Sequence, residues 1–174
     1  VGPRSPGRSR MTSAAGRGLI LAAPSSGAGK TTLTLGILAA LTRRGQRVRG
    51  AKSGPDYIDP QFHAAATGRD CVNLDPWAMT PQMLRGLASG PERLIREGGM
   101  GLFDGAADGT GSCAELARHR GLPVGLVVDA ARMAQSIAPL VAGFARFDPQ
   151  VRVAGVILNR VGSPRHTEML RSAL

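Results

Sequence analysis

One short stretch constrains this chain more than any other. Pro24-Ser25-Ser26-Gly27-Ala28-Gly29-Lys30-Thr31-Thr32 follows the apolar run Leu19-Ile20-Leu21-Ala22-Ala23 and opens an aliphatic helical pattern that lasts to about Arg44. Strand, glycine-rich loop and helix, in that order, let backbone N–H groups converge on phosphate oxygens. Glycines remove the Cβ obstruction, the helix N-terminus adds positive potential, and a lysine reaches the terminal phosphates. On this reading Ser26, Gly27, Ala28, Gly29, Lys30, Thr31 and Thr32 cradle a nucleotide, with the Thr31 hydroxyl placed to hold Mg²⁺. Pro24 stands where the GxxxxGK[ST] pattern has its first glycine, so the match lies in the second half, Gly27 to Thr32. The competing reading is a Gly/Ser turn with a coincidental Lys-Thr pair, and the agreement of loop, strand and helix speaks against it.

The rest of the chain continues the alternation. Arg47 to Lys52 reads as a second strand, followed by the turn-rich Ser53-Gly54-Pro55-Asp56. Helices are expected from Pro60 to Thr67 and from Pro81 to Ala88, with a loop holding Asp75-Pro76-Trp77 between them. In Leu94 to Phe103 the start reads as a strand and the part from Glu97-Gly98-Gly99 onward as a functional loop. Helix from Ser112 to Arg120, strand from Pro123 to Asp129, helix from Met133 to Phe144 and strand from Val153 to Leu158 follow. Ser163-Pro164 supplies an N-cap and an N1 proline for a helix still running at Leu174, which reads as a fragment of something longer. Continuous apolar strands alternating with helices imply an α/β fold of the P-loop NTPase kind, a parallel sheet with helices on both faces.

At 174 residues the chain suits one domain, and with 43% hydrophobic but only 3% aromatic residues it packs mainly with aliphatic side chains and alanine. No apolar run is long enough to span a bilayer and no secretory h-region opens the chain, so a cytoplasmic, membrane-free protein is expected. The net charge of +10 is uneven. Arg4, Arg8, Arg10 and Arg17 fall in a Gly/Ser/Pro-rich stretch without acids, residues 1–17, expected to be a disordered leader with Met11 as a possible start. The other basic residues are dispersed without interleaved aromatics, which favours a solvated surface over a nucleic-acid face and leaves a basic nucleic-acid module as a third reading. Only Lys30 and Lys52 of the 22 basic residues are lysine, so these two positions mark sites that need a compact ammonium. Cys71 and Cys113 lack ligand spacing and read as core fillers.

A nucleotide held this way needs carboxylates near the strand ends. Asp56 and Asp59 follow the second strand, Glu97 ends the third, Asp104 lies in Gly101-Leu102-Phe103-Asp104-Gly105, and Asp129 ends the fourth. Each alone is as well explained as a turn or capping acid; their shared sheet edge is not. His63 reads as a packed or surface residue, His119 and His166 as solvated, and Trp77 as a core anchor with stacking on a planar ligand as the alternative. Asn159, directly after VAGVIL, presents both a donor and an acceptor to an adenine edge, or is an ordinary turn residue.

The segments AAPSSGAGKTT, KSGPDYIDPQFH, NLDPWAM, EGGMGLFDG, LVVDAARMAQSIAPLVAGF and VAGVILNRVGSPRH resemble the successive signatures of cobyrinic acid or hydrogenobyrinic acid a,c-diamide synthases, from about Gly18 to Leu174. The resemblance implies a dethiobiotin synthetase-like ATP-binding domain over residues 18–174, incomplete at its C-terminal end. A glutamine amidotransferase domain that supplies ammonia would lie outside this chain, so neither cysteine is its nucleophile. It further implies ATP- and Mg²⁺-dependent amidation of the a- and c-acetate carboxylates of a corrin through an acyl phosphate, and it is compatible with a homodimer. Carried to this sequence, Lys30 and Thr31 hold phosphates and metal, Thr31, Asp59 and Glu97 form the metal set, and Asp56, Asp59 and Asp104 join Lys30 in catalysis. Lys52, Asp56, Tyr57 and Asp104 would meet the substrate, and Asn159 would read adenine. The EGGMG segment departs from the family's usual EGVMG, which bears on the strand register before it and not on Glu97. Rival readings are another amidase or cyclo-ligase of the same fold, against which KSGPDYIDP argues, and a MinD/ParA-like ATPase switch, which normally carries a second lysine where Pro24 and Ser25 stand.

Overall fold

The computed structural model describes residues 18–174; the leader expected over residues 1–17 lies outside them. Strands β1 (Gly18–Ala22), β2 (Val48–Ser53), β3 (Val72–Leu74), β4 (Arg93–Glu97), β5 (Val124–Asp129) and β6 (Val153–Asn159) form one sheet in the order β3-β2-β4-β1-β5-β6. Every pairing is parallel, as the alternation of strands with helices implies. Helices α1 (Lys30–Arg43), α2 (Asp59–Thr67), α3 (Pro81–Leu87), α4 (Cys113–Arg120), α5 (Ile137–Phe147) and α6 (Pro164–Ala173) cover both faces. One core lies under α1 and α2, with Leu21, Leu38, Val48 and Ile95. The larger one, with Ile20, Leu94, Leu116, Leu126 and Ile137, lies under α3, α4, α5 and α6.

The chain leaves β1 for β2, returns through β4 to the gap between them, and then builds outward on the other side. This reversal sets a crevice beyond the C-terminal end of β1, where open α/β sheets bind ligands. The register places Lys52 of β2 directly beside Glu97 of β4, and Leu21 of β1 on the other side of Glu97.

Two expectations need correction. The segment before Asp75-Pro76-Trp77 is not all loop: Val72–Leu74 pairs with Ala51–Ser53 as the edge strand β3. The helix expected from Met133 begins at Ile137 and runs to Phe147. Pro139 explains the shift, because a helix starting at Met133 would put its ring against the Gln135 carbonyl, whereas within the first turn its missing N–H costs nothing. Among the described residues no helix is long and apolar enough to cross a membrane.

Candidate active site

The loop after β1 turns twice on left-handed glycines, Gly27 at φ 79° and Gly29 at φ 91°. Gly29 is the N-cap of α1 and offers no side-chain cap, nor is there an acid in the first turn, so the first amides of α1 open into the crevice. Lys30 is buried and its ammonium, 3.4 Å from the Ser25 carbonyl, curls back over the loop. Burial pushes its pKa down, only partly opposed by Glu97. Asn159, at the end of β6, donates from its amide to the Ala28 carbonyl at 2.8 Å. That bond takes one amide donor and leaves the second donor and Oδ1 for a base edge.

Four side chains from four elements, Thr31 of α1, Lys52 of β2, Asp59 of α2 and Glu97 of β4, meet beside this loop. The Thr31 hydroxyl lies 2.6 Å from Glu97 Oε1 and 3.3 Å from Asp59 Oδ2. The Lys52 ammonium lies 2.8 Å from Glu97 Oε1, is paired with Asp59 Oδ2, and sits 3.6 Å from Asp56 Oδ2. Burial works against charge on Lys52, but hydrogen bonds to Asp59 and Glu97 prevail and raise its pKa. For Glu97, burial alone would raise the pKa; hydrogen bonds from His63, Lys52 and Thr31 instead hold it at about 2. Glu97 is therefore a fixed anion at neutral pH.

His63 is the residue the sequence reading undervalued. It is fully buried, as a packed residue would be, but its Nε2 lies 2.8 Å from Glu97 Oε2 and its Nδ1 lies 3.5 Å from the Cys71 sulfur. Burial pushes the Cys71 thiol up to about 12, so at neutral pH it remains S–H beside the imidazole. The pattern that could have revealed this is Asp59, His63 and Thr67 at four-residue spacing, a polar stripe on one face of α2.

Asp56 does double duty. Its Oδ1 accepts from the amides of Ile58 and Asp59 at 2.8 and 3.0 Å, the turn role, while Oδ2 faces Lys52. Asp104 stands apart from this cluster: its Oδ2 accepts from the Gly101 amide at 2.9 Å and braces its own loop. Asp129 is likewise elsewhere, paired with Arg160 at 2.5 Å. Tyr57 is 87% exposed. Trp77 is no core anchor, being 72% exposed. His166 is half-buried rather than solvated, with Nε2 2.7 Å from the Met133 carbonyl, whereas His119 is exposed and lies 3.4 Å from Glu115. Of the two cysteines, Cys113 is buried and Cys71 half-buried, and both are free. Sequence reasoning also passed over Arg160, which lines the loop cavity with a left-handed φ of 57°; a lone arginine in an arginine-rich chain gives no sign of this.

Two cavities meet at the cluster. One, of about 470 Å³, is lined by the loop from Ser26 to Thr32 together with Lys52, Asp59 and Glu97. The other, of about 600 Å³, is lined by Lys52, Ser53, Asp56, Trp77, Met100 and Asp104, among others. Lys52, Asp56 and Gly99 belong to both. A phosphate chain in the first cavity and an acceptor in the second would meet across the Lys52 ammonium.

The donor set suits a small hard cation. The hydroxyl of Thr31 and oxygens of Asp59 and Glu97 converge where the Lys52 ammonium now lies. Among the described residues no three His, Cys, Asp or Glu side chains form a group able to hold a metal ion by themselves, so a cation here would need phosphate oxygens or water as further ligands.

Hydrogenobyrinate a,c-diamide synthase of Brucella ovis is 60% identical over 163 residues, covering 91% of this chain and 37% of that protein. The enzymes of the same name from Rhizobium meliloti and Mesorhizobium japonicum are 60% and 56% identical over 161 and 165 residues, each with 38% of its length covered. The chain thus spans less than two fifths of the curated relatives it matches. A parallel sheet whose first strand feeds a phosphate loop agrees with the family model that matches residues 19–174, and by that match the chain belongs to the CobQ/CobB/MinD/ParA nucleotide binding domain family.

Proposed function

We propose that this chain is the synthetase portion of an ATP-dependent amidase that acts on the a- and c-acetate carboxylates of a corrin in cobalamin biosynthesis. The observation that carries this reading is the Lys52 ammonium, shared by the loop cavity and the acceptor cavity and flanked by Asp56, Asp59 and Glu97. The relatives' names supply the acceptor class.

A carboxylate oxygen is a poor leaving group, so amidation needs activation first. Attack of the acceptor carboxylate on the γ-phosphorus of ATP breaks the bond to the β-phosphate oxygen and gives an acyl phosphate and ADP. Ammonia then attacks the acyl carbon, phosphate departs, and the new amide nitrogen loses a proton. Phosphoryl transfer rests on positioning and charge neutralisation, which is what this site offers. The α1 amides and Lys30 receive the phosphates, and Thr31, Asp59 and Glu97 would hold Mg²⁺ with the Lys52 ammonium, which occupies that position in the fold, turned from it toward the donor and acceptor. Bound there, Mg²⁺ would supply charge neutralisation to the transferred phosphoryl group. Asp104, on the acceptor-cavity wall, orients the reacting carboxylate or incoming ammonia, and Asn159 reads the adenine edge. Ammonia would come from glutamine through a glutaminase domain outside this chain, in a cytoplasmic enzyme.

The test is mass spectrometry of hydrogenobyrinate and cobyrinate after incubation of the complete enzyme that contains this chain with ATP, Mg²⁺ and an ammonium salt. Mono- and diamide products are expected, with loss of amidation in Lys30→Ala at unchanged circular dichroism and slower turnover in Asp104→Asn. Corrin-independent ATP hydrolysis without amide would instead favour a MinD/ParA-like switch.

A further inference from the structure

Trp77 is placed in a way that its own packing does not explain. Its indole is 72% exposed, yet the residue lines the acceptor cavity, as does Met100 at 53% exposure. The backbone beneath it is anchored. The Trp77 amide donates to Asp75 Oδ1 at 3.0 Å, Asp75 is itself buried, and the Asp75 carbonyl accepts from the Met79 amide at 2.9 Å. On the other side Gly111, at φ 76°, comes so close that a Cβ there would lie 3.0 Å from Trp77 Cβ. A flat apolar group is therefore held on a fixed mount and turned toward solvent at a cavity rim. Indoles bury 150–250 Å² when covered, on the order of the largest single contribution to a binding surface.

The cavity volume, about 600 Å³, suits a drug-sized ligand and is too small for a substituted tetrapyrrole-sized ring. An acceptor of that class with one acetate at Lys52 must leave most of its ring at the rim, where Trp77 and Met100 stand. We infer that Trp77 is the platform for the acceptor's macrocycle, with Met100 beside it, so that this pair selects a broad, flat apolar acceptor over a small dicarboxylate. The inference rests on the function proposed above and deepens it.

Trp77 is the single tryptophan of the chain, so its emission reports on this spot alone. The test measures hydrogenobyrinate binding by equilibrium dialysis, read by corrin absorbance, with Mg²⁺ and a non-hydrolysable ATP analogue present. Nucleotide affinity is measured separately with a fluorescent ATP analogue. The unaltered chain should show saturable quenching of tryptophan emission with the dialysis Kd. Trp77→Ala should weaken corrin binding by about tenfold or more, with Trp77→Phe between the two and nucleotide affinity unchanged in both. Unchanged corrin affinity in Trp77→Ala overturns the platform and leaves the functional proposal standing. A chain that binds nucleotide but no corrin removes the functional proposal, and the platform with it. Should Trp77→Ala lose nucleotide affinity through misfolding, Trp77→Leu decides, since it keeps apolar bulk without a flat ring. Weakened corrin binding then supports the platform and unchanged binding overturns it.

Discussion

Arg96 is the residue whose surroundings suit it least. Its side chain is 1% exposed, points into the larger core from β4, and among the described residues leaves Nε and both terminal nitrogens without a hydrogen-bond partner. Burial, with Arg120 and Arg49 nearby and no acid to answer them, lowers its pKa to about 10. An unpaired buried charge is among the most costly features a core can hold. Arg96→Met, which keeps the volume and removes the charge, is expected to stabilise the fold by about 1–4 kcal/mol, seen as a higher urea midpoint at unchanged m-value. A lower midpoint would mean that this guanidinium has a partner that compensates it. At this scale the sequence was informative where residue choice was unusual. The two lysines among many arginines both lie in the site, each nearly fully buried. It was uninformative where a residue's role depends on what lies across the sheet: nothing local distinguishes the His63 that meets Glu97 from one that merely fills space, or an exposed Trp77 from a buried one.

Among the elements, the contact between α2 and β2 sets how Glu97 is held. α2 crosses β2 at Gly50, where a Cβ would lie 2.8 Å from His63 Cβ and 3.1 Å from its ring. Gly50→Ala should therefore push α2 outward and cost about 1–3 kcal/mol in chemical unfolding. Gly155→Ala on β6, with open space around it, should change stability by less than about 0.5 kcal/mol. Equal effects of the two substitutions would show that the close approach is not what matters. Most elements were legible because their patterns are long and apolar. β3 was not, because its three residues carry no periodicity and become a strand only by pairing with Ala51–Ser53. The early start expected for α5 followed the apolar pattern from Met133 and overlooked Pro139, a misreading that local stereochemistry could have prevented.

For the molecule as a whole, Glu97 links stability to pH. Its pKa in the fold, about 2, is depressed below the unfolded carboxylate value of roughly 4.3, so its contribution is complete above the latter and fades as pH falls toward the former. Glu97→Gln should be less stable than the unaltered chain at neutral pH, and the gap should close between about pH 4.3 and pH 2, as measured by urea unfolding at stepped pH. A gap independent of pH would show that the two states hold this proton equally. The parallel sheet and its phosphate loop were readable from sequence, since periodicity and motif are local. The meeting of Lys52 with Glu97 was not, because it depends on strand order.

That order has a consequence for assembly. β4 is a late strand in the chain but an inner one in the sheet, slotted between two that precede it. A partly folded chain with β1 and α1 in place owns a cradle for phosphates but lacks the buried acid that β4 delivers. On the function proposed above, phosphoryl transfer would therefore wait on the arrival of β4, and a molecule lacking it would hold nucleotide without spending it.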